Sequence, residues 1–234
     1  MSDEHPPTEF VNLDLSGARF HNVNLTRAKA KEVVLVDARF SGLIHGLTIN
    51  DVEVAPLIRQ EMDRRYPERT KLRPASAAGV GEAWLVIEQL WAATKARAAA
   101  LPEATLHERV DDEWSFLETL RHLVFVIDVW ISGRVLGRSG HHHPFGVAPT
   151  FITDVTPFGI DPAADPSFPE VAAAREDRLD IVRGLVAEID DERLRQPCGD
   201  QTVKTCLLTL FDEEWHHNWF ANRDLDAIEA RGPA

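Results

Sequence analysis

The sequence predicts a mainly helical protein: a four-helix bundle with a short β solenoid in front of it. Three observations carry that prediction. The first fifty residues repeat with a period of five, four later segments place apolar residues three and four apart, and polar connections separate those segments. With 234 residues, 44% of them hydrophobic, the chain has enough apolar material for a substantial core and too much for global disorder.

The repeat comes first. Phe10, Leu15, Phe20, Leu25, Ala30, Leu35 and Phe40 recur every fifth residue, and Leu13, Ala18, Val23, Ala28, Val33 and Ala38 stand two places before most of them. Such a period suits neither an amphipathic helix nor an alternating strand, but it suits a solenoid with one corner per repeat. Both apolar columns are then expected to point inward. The stretch GLTINDVEVAP, Gly46 to Pro56, alternates apolar and polar residues and extends the β structure.

LDLSG, ARFHN, VNLTR and ARFSG resemble the pentapeptide-repeat family, whose motif is Ala-(Asp/Asn)-Leu-x-x. AKAKE and LIHGL depart from it, with small Ala30 at a central position and His45 in the apolar column. The resemblance implies a right-handed, four-sided β-helix, of which residues 10–45 make roughly two coils. So short a solenoid buries little surface. Residues 1–53 are therefore read as an appendage that caps or docks the main domain, with separate partner binding as the alternative.

APLIRQEMDRRYPER reads as a short helix stopped near Pro67, inside a connector over 54–76. Residues 77–234 hold the bundle. Its first long helix spans Gly79 to Leu101 and its second Ser115 to Gly137, the latter opened by a Ser115–Glu118 capping box. The third starts at Ser167, with Glu170 at the same spacing, and runs to about Ile189; the fourth follows Thr202 and reaches about Arg231. Between Arg138 and Asp165 lies an aperiodic connection rich in Gly, Pro and His, of a length that is often functional, expected to fold over one end of the bundle. Its tract His141, His142 and His143 reads equally as a metal trap, a surface tract or part of a lid.

Asp and Glu outnumber Lys and Arg by 38 to 25, for a net charge of −13, and such a surface repels phosphate backbones. No nucleic-acid partner is expected, and RRYPER is read as a solvated helix face. No apolar run has the length of a membrane span. The opening MSDEHPPTEF lacks a signal-peptide layout, and Cys198 and Cys206 are the only cysteines, so a cytoplasmic chain with reduced thiols is expected.

The chemistry concentrates in FDEEWHHNWFANRDL, Phe211 to Leu225. At about 100° per residue, Cys206, Leu210, Ala221 and Ile228 fall within about 40° of His217, which centres an apolar face. Glu213 shares that face; His216 lies at its margin, Trp215 and Trp219 nearly opposite, and Glu214 to one side. On the second helix His122 lines up with Ser115, Thr119, Val126, Val129 and Gly133, while Arg121 and Asp128 turn away. Two helices thus each aim a histidine inward, and one adds a carboxylate. Glu-x-x-x-His places two ligands on consecutive turns, and two His with one Glu leave coordination positions open. The same spacing also serves a buried His–Glu hydrogen bond without metal, and spacing alone does not choose.

EWSFLETLRHLVFVIDVWI, followed about ninety residues later by DEEWHHNWFANRDLDAIEA, resembles the DinB-like superfamily, and most closely the group containing mycothiol-dependent maleylpyruvate isomerase. The likeness covers residues 77 to 231. It implies a DinB-like four-helix bundle holding a divalent metal through His122, Glu213 and His217, with zinc first among the candidates and nickel or iron behind it. Where this chain has Glu213, many relatives carry a third histidine. The resemblance further implies a low-molecular-weight thiol such as mycothiol as cosubstrate of a transferase or isomerase, an unidentified second substrate, and a homodimer in some members. It identifies no general base or substrate-binding residue. Asp224, on the inward face beside Arg223, reads as a ligand-orienting group or a structural ion pair, and His216 and Glu214 read as bystanders. The competing function is a non-catalytic stress-response or interaction module, with a structural metal and the repeat as its docking surface.

Overall fold

A computed structural model describes residues 9–21, 23–42, 44–140 and 142–231. The chain divides into two compact units, residues 1–40 and 41–234.

In the first unit the pentad period is written into the backbone. Asn12, Gly17, Arg27, Glu32 and Asp37 all take positive φ, between 53° and 75°, so a left-handed corner returns every five residues. Two turns ten residues apart repeat the same bonds: the amides of Ala18 and Ala28 reach the carbonyls of Leu15 and Leu25 at 2.9 and 3.0 Å. Asp14 and Asn24 each accept the amide two residues on, at 2.9 Å. The inward orientation of the apolar columns is corrected, however. Phe10, Phe20 and Phe40 are 67%, 63% and 63% exposed, and the leucines between them are also exposed. Two coils hold too little chain to enclose their own apolar faces.

The second unit opens with a hairpin, β1 (Thr48–Ile49) and β2 (Val52–Glu53), followed by α1 (Ala55–Arg65) and a 3₁₀ segment, Pro67–Leu72. Then come α2 (Ala77–Ala98), short α3 (Glu103–Leu106), α4 (Phe116–Ile127), α5 (Phe168–Glu188), short α6 (Asp191–Arg195), the hairpin β3 (Pro197–Cys198) and β4 (Gln201–Thr202), and α7 (Val203–Ala230). The four long helices form the bundle: α4 packs against α5 and α7, and α2 against α7 and α5. Among the described residues no helix is long and apolar enough to cross a membrane.

The core follows the helical stripes. Val80, Ala83, Trp84, Ile87 and Trp91 of α2 meet Leu207, Leu210 and Phe211 of α7 in one apolar cluster. Each large side chain buried there contributes about 1.5–3 kcal/mol. The far side of α7 is covered too. Trp219 donates its indole N–H to the Tyr66 hydroxyl at 2.9 Å, Tyr66 packs edge-on against Trp215, and the Arg69 guanidinium lies 4.4 Å from the Trp215 ring. The connector is therefore part of the packed structure, which is why an α7 apolar on two faces is stable here.

The second long helix differs from a simple α-helix. After Ile127 it widens into a π-helix, Asp128–Val135, whose i→i+5 bond from Leu136 N–H to Ile131 O is 2.9 Å long. Ser132 and Gly133 weaken the α preference there. Gly137, at φ 63°, ends the segment in the left-handed conformation that glycine tolerates. Asp128 turns away from the His122 face yet is buried, because Arg178 of α5 and the amide of His143 take its carboxylate at 3.0 and 2.8 Å.

The capping box of α4 forms as expected: Glu118 N–H donates to Ser115 Oγ at 3.2 Å, and Ser115 N–H to Glu118 Oε2 at 2.9 Å. Burial opposes the Glu118 charge, but the bonds from Arg109 and Ser115 outweigh it and hold the carboxyl below its ordinary value. Because the folded value is depressed, this stabilisation is present above the unfolded pKa and is lost as pH falls through the folded one. Ser115→Ala is expected to cost about 1 kcal/mol in urea unfolding at neutral pH. Glu118→Gln should destabilise at neutral pH and flatten the acid limb of the stability–pH curve. An acid limb identical to the parent's would contradict this role.

Candidate metal centre

Residues from α4, α7 and the 138–165 connection meet at one place. On α4, His122 is 5% exposed, and its Nδ1 lies 2.9 Å from the backbone carbonyl of Val147. A carbonyl oxygen only accepts, so a proton sits on Nδ1, and Nε2 faces α7. That Nε2 is 3.7 Å from Glu213 Oε2, and His217 Nε2 is 3.2 Å from the same oxygen. Donor atoms of His122, Glu213 and His217 all lie within 4.8 Å of one another, the one such group among the described residues.

The electrostatics suit a cation. Burial works against ionisation of Glu213, yet the His122 and His217 rings beside it outweigh that and hold the carboxyl well below the usual carboxylate range. Burial pushes His217 the other way, toward the neutral ring, with Glu213 opposing. The two tendencies are toward an ionised carboxylate and a neutral imidazole. They agree around a cation, because an ionised carboxylate and neutral imidazoles are the ligating forms. This donor set fits a borderline divalent ion such as zinc, nickel or iron(II).

Trp114 covers both imidazoles, its ring 4.5 Å from that of His122 and 5.9 Å, stacked, from that of His217. The connection folds back onto α4: besides the Val147 carbonyl, that of Phe145 accepts from Arg121 Nε at 2.8 Å. His142 packs on Phe125 and Phe158, and His143 binds Asp128 through its amide; neither belongs to the His–Glu–His group, and His141 lies outside the described residues. The centre reaches solvent. The Glu213 side chain is 37% exposed, against 15% for His217.

Two neighbours lie outside the cluster. His216 is a bystander to the cluster, its Nδ1 3.3 Å from the Asp212 carboxylate. Glu214 lies outside it as well, fully buried in an ion pair with Arg175 of α5, which is itself 2% exposed. Asp224 pairs with Arg223, which reaches Glu113 at 2.6 Å, a structural network tying α7 to the residues before α4. Sequence reasoning missed Arg175, although a signal existed: it stands in register with Val171, Leu179 and Val182 on the buried stripe of α5, where a lone cation requires an acidic partner. The Val147 carbonyl has no side-chain signature and could not have been found.

Among known families, the DinB superfamily matches residues 87–221, and pentapeptide repeats, in eight copies, match residues 8–42. No curated protein and no solved structure gives a significant match.

Glu214→Ala would leave the Arg175 charge buried and unpaired, and it is expected to cost about 3–5 kcal/mol in urea unfolding. Arg175→Met combined with Glu214→Leu should recover most of that loss. A double variant as unstable as the single one would show that the pair is not its source.

Proposed function

The chain belongs to the DinB superfamily, whose match spans more than half its length, and on that premise we propose that it is a divalent-metal-dependent enzyme of the thiol transferase or isomerase type. His122, Glu213 and His217 hold the cation in this reading, and a low-molecular-weight thiol, of which mycothiol is the prototype, is the cosubstrate. The observation that carries the proposal is the convergence of two imidazole Nε2 atoms on one carboxylate oxygen, at 3.7 and 3.2 Å, on a glutamate whose side chain is 37% exposed.

Three protein donors leave coordination positions free, as a catalytic centre requires and a closed structural site does not. When bound, the cation supplies Lewis acidity, which favours the thiolate of a small thiol and polarises a substrate carbonyl. The protein's own groups prepare the site for that chemistry. The Val147 carbonyl fixes the His122 tautomer and ring plane. Glu213 offsets part of the cation's charge and leaves a net positive centre attractive to an anionic sulfur. Trp114 shields the imidazoles from water. Zinc is the favoured metal, given two nitrogen donors and one oxygen.

One observation favours a second reading, a partner-binding module with a structural metal: the exposed apolar columns of the repeat unit, from Phe10 to Phe40. Thiol binding separates the two. Chelator-stripped protein lacking an affinity tag should take up one equivalent of zinc. Loss of a second-shell partner typically weakens metal binding about 10–100-fold, and His122→Ala, Glu213→Ala and His217→Ala should each weaken it at least that much. His216→Ala should leave it unchanged. The zinc-loaded protein should be stabilised against heat by a small thiol such as mycothiol or glutathione. Full metal loading with no thiol response would favour the second reading, and equal zinc affinity in the parent and the His122 variant would overturn the site.

A further inference from the structure

We infer that Cys198 and Cys206 are an oxidisable pair, a modification site that closes to an intramolecular disulfide between the β3–β4 hairpin and the start of α7. Nothing in their sequence neighbourhood pairs them, but the fold does. Their Sγ atoms lie 2.7 Å apart, and both thiols are free. The hairpin pairs Cys198 with Gln201 across Gly199 and Asp200, with Gly199 at φ 66°. Val203 N–H donates to Gln196 O at 3.0 Å, and Thr202 Oγ1 accepts from Thr205 N–H at 3.2 Å as the cap of α7. Hydrogen bonds on both sides thus hold the two backbones, and a bond of about 2.05 Å requires the sulfurs to close by well under an ångström.

The oxidant is a low-molecular-weight disulfide. Of the two buried thiols Cys198, 6% exposed at the foot of an exposed turn, is the more accessible and is assigned the first attack, whereas Cys206 is fully buried. The Cys198 thiolate attacks the reagent, forming a mixed disulfide and releasing one thiolate. Cys206 then attacks the Cys198 sulfur, and the second thiolate leaves. In total two protein thiols lose two protons and two electrons, and one reagent disulfide becomes two thiols. Burial pushes the Cys206 thiol up to about 12, with its contact to Cys198 adding to this and Arg134 opposing. Arg134 and Asp200, 2.8 Å apart, are the charged groups beside the pair.

The test is intact-mass analysis of the folded, full-length protein after incubation with glutathione disulfide, followed by alkylation under denaturing conditions. The expected product is a monomer that has lost two hydrogens and takes up no alkylating agent. Cys206→Ser should stop at a single glutathione adduct on Cys198, and Cys198→Ser should remain unmodified while folded. Should either variant fail to fold, the parent's mass decides alone. Two alkylatable thiols remaining in the oxidant-treated parent, a stable glutathione adduct without closure, or disulfide-linked dimers would each overturn the inference.

Discussion

The rotation of α7 about its own axis determines what this protein can do, and the buried pair between Arg175 and Glu214 constrains that rotation. Successive helical residues point about 100° apart. With Glu214 committed to α5, Glu213 is left facing α4, where His122 waits, and His217 follows one turn later on the same side. Trp215 and Trp219 are then directed at Tyr66 and Arg69 of the segment before the bundle. A charged pair in a core is a poor source of stability compared with apolar packing, but it penalises alternatives strongly, because any other rotation strands two charges without water. In α7 that penalty specifies the register of the candidate metal centre.

The centre is assembled from parts of unequal rigidity. Glu213 and His217 ride on a helix buried on several faces. His122 sits on a helix whose start is fixed by a capping box and whose end relaxes into π geometry. Only the Val147 carbonyl comes from an irregular connection. The connection thereby sets the tautomer of one donor, so a change in its path alters the chemistry of the cluster without altering its three side chains. Its aromatic contacts, His142 and Phe158 against Phe125, help to hold that path.

Much of this was legible in the amino-acid sequence, for identifiable physical reasons. Helix boundaries followed from Ser115, Ser167 and Thr202 at the caps, and the facing of His122, Glu213 and His217 followed from helical periodicity, because these signals are local. The ion pair of Glu214 was not foreseen because its partner lies 39 residues away on another helix, and a sequence read one helix at a time does not show that an acid at a stripe's edge meets a cation on a neighbouring stripe. The contact of Cys198 with Cys206 depends on a hairpin too short to leave a pattern. In the repeat unit the period was plain, and the left-handed corners fall on it, yet the facing of its apolar residues depends on how much chain is available to cover them.

The most direct measurement is anomalous diffraction at the zinc edge from crystals of the zinc-loaded protein. One anomalous peak, bonded by Nε2 of His122, a carboxylate oxygen of Glu213 and Nε2 of His217, with at least one remaining position held by solvent or a thiol, is the predicted result. A peak elsewhere, a shell closed by a fourth protein side chain, or no peak at full zinc loading would contradict the account.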